Sequence, residues 1–243
     1  SKDRSFNYLM RKTLYHDILE EASQKAEEFN LYHNTQHLEY QRNRRRIQNP
    51  PPKEIKTPEE WSHDKKFNPF YVQGHVNQIS KSITKKILNG TYKPEAPFKK
   101  RIPKRGGGER TISIYQIPDS AVSDRFYKNL LAKNKHRFSS LTYAYRDDRN
   151  VHYAIQDIAY ELSSTPRIFI AEFDFSKFFD SIKHTYIREQ LERNSFLVSD
   201  TERNIIDAFL DSSNGTGIPL GTSISLFLAN VSCWSLDRAF ENE

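Results

Sequence analysis

Arg167-Ile168-Phe169-Ile170-Ala171-Glu172-Phe173-Asp174-Phe175 is the stretch that decides the fold. It is apolar at nearly every second position and is bounded upstream by Pro166, the pattern of a β-strand. Ser176-Lys177-Phe178-Phe179-Asp180 follows at once, with a helical start expected at Ser176. An acid thus stands where a buried strand gives out. A carboxylate is costly there unless a cation or hydrogen-bond donors meet it. Mg²⁺ held by one carboxylate, a backbone carbonyl and substrate phosphates is a common solution. The alternative is that Asp174 caps the following turn while Asp180 pairs with Lys177 or Lys183.

On either side, helical punctuation dominates. Phe6, Leu9, Met10, Leu14, Ile18, Ala22, Ala26 and Phe29 recur at helical spacing without strict heptads, predicting one long helix packed in a bundle. A polar, Arg-rich stretch then leads into Asn49-Pro50-Pro51-Pro52 and Pro58, a linker or irregular wrap with a boundary near residue 60. Val76, Ile79, Ile83 and Ile87 share a helix face closed by Asn89-Gly90. Asp119 and Asn150 are placed to cap helices, Ser199 to Glu202 forms a capping box, and Gly215 ends that helix. A last helix runs from about Thr222 towards Phe240. Ile102–Lys104 and Arg110–Tyr115 flank Gly106-Gly107-Gly108, a hairpin signal with Ile112 and Ile114 on one face. The fold class is therefore α+β. The expected divisions are a helical extension over 1–60, a middle region over 61–165, and a sheet-bearing region over 166–243.

Charge is concentrated. The chain of 243 residues carries 37 basic and 31 acidic side chains, a net of +6. Between Lys93 and Arg110 seven basic residues face two acidic ones, so most of the excess lies in one segment. That is the footprint of phosphate contact. Arg42, Arg44, Arg45 and Arg46 form a second cluster, read as a solvated face. One cysteine, Cys233, excludes a disulfide framework and a Cys-based zinc site. No apolar run approaches the roughly 20 residues of a membrane helix. A soluble, basic protein of the cytoplasm, without membrane contact, is expected.

Four segments in order resemble reverse transcriptases, especially bacterial lineages related to group II introns and retrons. FDFSKFFDSI (residues 173–182) is similar to their first catalytic motif. IPKRGGGERTISIYQIPDSAVSDRFYKNLL (102–131) resembles the fingers motif and following helix. FSSLTYAYRDDRNVHYAI (138–155) and GIPLGTSISLFLANV (217–231) resemble two further blocks. The likeness covers roughly residues 65 to 240. It implies right-hand polymerase fingers over 61–165 and part of the palm over 166–243. Leu220 stands where the family has Gln, and Leu226 replaces a common Pro. These departures, with the N-terminal helix, resemble the divergent abortive-infection enzymes of phage defence.

What the resemblance implies is an RNA-directed DNA polymerase acting on an RNA template, a DNA or RNA primer and dNTPs. Asp174 would bind two Mg²⁺ ions, or Mn²⁺, with the Phe175 carbonyl. Backbone amides at Lys177 and Phe178 would face the triphosphate, and Phe179 would crowd a ribose 2′-hydroxyl so that deoxynucleotides are preferred. Lys104 and Arg110 would clamp the phosphates, while Leu220 and Gly221, after Pro219, would lie against base and template. Tyr143, Tyr145 and Arg146 would lie near the template or nucleotide. Lys99, Lys100, Arg101 and Arg105 would follow the nucleic-acid backbone, with solubility as their alternative use.

The family's aromatic-x-Asp-Asp hairpin is taken to be absent, and Asp237 is a poor substitute. One carboxylate cannot hold two metals, so the chain reads as an inactive N-terminal fragment whose C-terminal remainder completes the site. The alternatives are a catalytically silent nucleic-acid-binding module and template-independent or protein-primed synthesis. Phe179 argues against an RNA-dependent RNA polymerase. Self-association through the N-terminal helix is a further possibility, with docking on the same subunit the commoner use.

Overall fold

A computed structural model describes residues 2–210 and 214–242. Among the described residues the chain is mostly helical with one two-stranded antiparallel sheet, an α+β class. In order the elements are α1 (Lys2–Arg46), α2 (Pro69–Leu88), β1 (Phe98–Pro103), β2 (Glu109–Ile114), α3 (Ile117–Asn134), α4 (Val151–Ser163), α5 (Phe178–Ser181), α6 (His184–Arg193), α7 (Asp200–Leu210) and α8 (Ser223–Glu241). Two compact units result, Ser1–Lys100 with Ile114–Val122, and Arg101–Ser113 with Ser123–Glu243.

In the first unit α1 and α2 pack side by side. Ile18 and Ala22 meet Val72 and Val76, with Ile117 and Ala121 closing the cluster. Asn68 caps α2 through Phe70 N–H, and Asn89 with left-handed Gly90 (φ 69°) ends it as its sequence predicts. Phe6 and Leu9 are exposed although they fit the helical period. Twenty residues of α2 span about 30 Å, whereas the 45 of α1 span more than twice that, so only the middle of α1 is covered. The Arg-rich stretch is also helical to Arg46, not a linker. Gln, Glu, Leu and Arg are good helix formers, no breaker intervenes before Pro50, and Arg44, Arg45 and Arg46 sit favourably in the last turn.

Asp119 lies in the first turn of α3 and reaches out of the helix. Its carboxylate accepts from Tyr92 Oη (2.7 Å) and Glu95 N–H (2.9 Å), tying residues 92–95 to α3. Burial pushes its carboxyl from 3.8 up to about 6, outweighing these hydrogen bonds, which favour the charged form. The native state then holds this proton more tightly than the unfolded chain does. Stability should fall as pH rises from about 4 to about 6, by on the order of 3 kcal/mol, and level off above. Urea unfolding of wild type and Asp119→Asn across that range checks this: the slope difference should vanish above about pH 6, and parallel curves throughout would contradict it.

The second unit is built around α8. Ile224, Phe227, Leu228 and Val231 are fully buried; Phe138 and Phe196 meet Phe227 edge-on, and Trp234 meets Phe196 in the same way. The capping box forms: Glu202 N–H donates to Ser199 Oγ (3.2 Å), and Ser199 N–H to the Glu202 carboxylate (2.9 Å). Lys133 Nζ adds an ion pair to Glu202 at 2.6 Å. Thr222 precedes α8, and Asn150 caps α4 through His152 and Tyr153 N–H. The end of α7 falls against residues 211–213, outside the described residues.

The strand over Arg167–Phe175 does not form. The segment is irregular; Phe169 is 100% exposed, and Ile170 and Phe173 are nearly so. An extended segment satisfies its backbone only by pairing, and among the described residues no strand lies beside it. The apolar side of α4 is exposed likewise, at Val151, Ile155 and Ile158.

Candidate functional site

Within the second unit, four segments far apart in sequence meet around one loop. Residues 215–221 are pinned first to the turn after Asp174. Ile218 N–H donates to the Phe179 carbonyl (2.8 Å) and Gly217 N–H to that of Ile182 (2.7 Å), while Lys183 bridges Thr216. His184 closes the corner: its N–H donates to the Gly215 carbonyl (2.9 Å), and its ring Nε2 lies 2.7 Å from the Gly217 carbonyl oxygen. On the other side Ser113 N–H of β2 donates to the Leu220 carbonyl at 2.7 Å. Gly221 follows in the left-handed region (φ 113°), where a Cβ would stand 2.7 Å from the Ser113 carbonyl oxygen. Only glycine fits that approach.

Tyr145 completes the group, its ring 6.5 Å from that of Phe179 and perpendicular to it. Tyr127 Oη donates to the Tyr145 carbonyl (3.0 Å), and Asn230 Nδ2 to that of Ala144 (2.9 Å). Tyr145 (φ 59°) and Lys177 (φ 51°) are both left-handed. Such backbone costs about 1–3 kcal/mol and clusters at functional sites. Lys177 precedes α5, a single turn whose Phe178 stacks on Phe175 and meets Phe179 edge-on. Phe178 and Phe179 are half-buried, and Phe175 is exposed.

The structure thus brings together Tyr145, Phe179, Leu220 and Gly221, with the last two against Ser113 of β2, the strand that also carries Arg110. Lys104 stands in the hairpin turn, where its N–H donates to Gly108 and its carbonyl accepts from Gly107. Lys104, Arg110 and Arg105 are exposed, as are Lys99, Lys100 and Arg101 in β1. Arg146 has a different surrounding. Its guanidinium binds both oxygens of Asp148 (2.9 Å each) and the carbonyls of Ser139, Thr142 and Lys135, holding the loop before α4 together. Tyr143 Oη donates to Asp157.

Asp174 is exposed and stands on irregular backbone, not at a strand end. The spelling Tyr-x-Asp-Asp does occur, as Tyr145-Arg146-Asp147-Asp148, contrary to the expectation that the chain lacks it. It lies in a loop and not a hairpin; Asp147 pairs with Lys135 at 3.2 Å and Asp148 with Arg146. Among the described residues no three His, Cys, Asp or Glu side chains converge as metal ligands. The residues present therefore do not fit a two-ion centre.

His184 and Asn230, which lock the site, were not singled out from sequence. The signal available was position: Asn230 lies inside the block at 217–231, and His184 two residues beyond the one at 173–182.

No family model matches the chain. Over 162 residues, 63% of its length, it is 26% identical to protein YkfC of Escherichia coli (strain K12). The chain spans 42% of that protein, less than half its length.

Proposed function

We propose that this chain is the nucleotide-binding part of an RNA-directed DNA polymerase resembling the bacterial reverse transcriptases of phage defence. The observation that carries the reading is the convergence just described. Segments around residues 113, 145, 179 and 220, recognised separately by their spelling, meet within hydrogen-bond or ring-contact distance. In this reading the base lies over Leu220 and Gly221, the sugar meets the Phe179 ring, and Lys104 and Arg110 reach the phosphates. Template and primer follow the basic hairpin. The C-terminal remainder of the protein supplies the missing carboxylates and the strand that pairs with residues 167–175. The setting is the bacterial cytoplasm; among the described residues no helix is long and apolar enough to cross a membrane.

Sugar selection tests the reading. Phe179→Val in the full-length protein should raise the ribonucleotide-to-deoxynucleotide ratio of kcat/KM by roughly tenfold or more, since a lost ring admits the 2′-hydroxyl. An unchanged ratio, with dNTP incorporation intact, would remove Phe179 from the sugar site.

A second reading, a silent nucleic-acid-binding module, is favoured by the lone exposed Asp174. Phosphate neutralisation gives it affinity without chemistry. Full-length protein that binds primer–template but incorporates no dNTP, with either Mg²⁺ or Mn²⁺, decides for it.

A further inference from the structure

We propose that the first unit carries a separate recognition pocket for a nucleobase bearing an exocyclic amino group, presented by single-stranded nucleic acid. Lys100 apart, none of its residues belongs to the site above, so it goes beyond the polymerase reading and does not rest on it. The pocket encloses about 610 Å³ between α1, the turn at residues 58–61 and the start of α3, a size suited to a nucleotide.

Its walls are built and not incidental. Phe29 of α1 packs on Trp61 at 4.9 Å, and both meet Phe70 at 6.1 Å. Trp61 N–H donates to the Pro58 carbonyl (3.2 Å), fixing the turn. Lys56 N–H donates to Tyr32 Oη (3.3 Å), tying the proline-rich segment to α1. Phe29 and Trp61 remain only half-buried, so ring surface is left facing the cavity.

Charge narrows the occupant. The lining holds both ammonium groups, among them Lys56 and Lys100, and carboxylates, of which Glu60 is half-buried. A purely aliphatic ligand would gain nothing from either sign, and a bare phosphate would use the ammonium groups but neither the carboxylates nor the rings. A base with an amino group uses all three features. Its ring stacks on aromatic faces, its N–H₂ donates to a carboxylate as cytosine N4 does, and its phosphate meets a lysine.

The test is ¹⁹F NMR of the 243-residue chain labelled at its two tryptophans, Trp61 and Trp234, and titrated with CMP and UMP. The Trp61 resonance should shift saturably, with CMP binding roughly fivefold or more tighter than UMP, while Trp234 stays still. Glu60→Gln, which offers a donor as well as an acceptor, should narrow that ratio. Asp174→Ala should leave the shifts unchanged, so failure here and failure of the polymerase reading are distinguishable. No Trp61 shift, equal affinities, both resonances moving together, or saturable binding of a decaproline peptide in place of CMP would each overturn the proposal.

Discussion

Asp174→Ala in the full-length protein is expected to lower divalent-ion-dependent dNTP incorporation on the order of 10³-fold or more, the scale seen when one member of a catalytic set is removed. Primer–template affinity should change little, because that term comes from Lys and Arg contacts with phosphates elsewhere. The side chain is exposed and its loss opens no core, so stability should move by less than about 0.5 kcal/mol. Single-turnover incorporation, filter binding and thermal melting of the same preparation separate the three effects. Wild-type incorporation by the variant would refute the role given to this carboxylate.

Gly221→Ala acts on assembly of the site. The added Cβ would lie 2.7 Å from a backbone oxygen, that of Ser113, at a φ of 113°. Backbone cannot swing aside as a long side chain can, so either the loop or β2 must shift. That shift breaks the 2.7 Å bond from Ser113 N–H to the Leu220 carbonyl on the same edge. A loss of about 3 kcal/mol in the second unit is expected, together with weakened dNTP binding. Gly106→Ala is the control: nothing lies within 4 Å of its Cβ, and the cost should stay below about 0.5 kcal/mol. Denaturant midpoints report both variants, and an unshifted midpoint for Gly221→Ala would show that the loop contact is dispensable.

The helices and the hairpin were legible in the sequence because their signals are local. Asn150 and the Ser199–Glu202 box cap the helices their spelling predicts, whereas Asp119 lies inside the first turn of α3 and does not cap it, and Gly106-Gly107-Gly108 turns the hairpin. Two readings failed, one because the answer lies in a distant neighbour and one because polarity was weighed above helix propensity. Alternation over Arg167–Phe175 states a preference, but a strand exists only through its neighbour. The Arg-rich end of α1 looked like a linker for its polarity, although no residue there stops a helix before Pro50. In the candidate site, Phe179, Leu220 and Gly221 were named only through the resemblance to reverse transcriptases, with Leu220 a departure from it. Arg146 was named through the same likeness, yet its guanidinium is held within its own loop by Asp148 and three carbonyls. The pins at His184 and Asn230 are long-range hydrogen bonds, two from His184 and one from Asn230, which no local pattern announces.

The central claim, that Asp174 and Phe179 flank an incoming deoxynucleotide, is tested most directly by crystals of the full-length protein grown with primer–template, Mn²⁺ and an unreactive dNTP analogue. Anomalous density should place Mn²⁺ on the Asp174 carboxylate, with the deoxyribose against the Phe179 ring. Nucleotide and ion bound elsewhere, in a protein that still polymerises, would contradict the account.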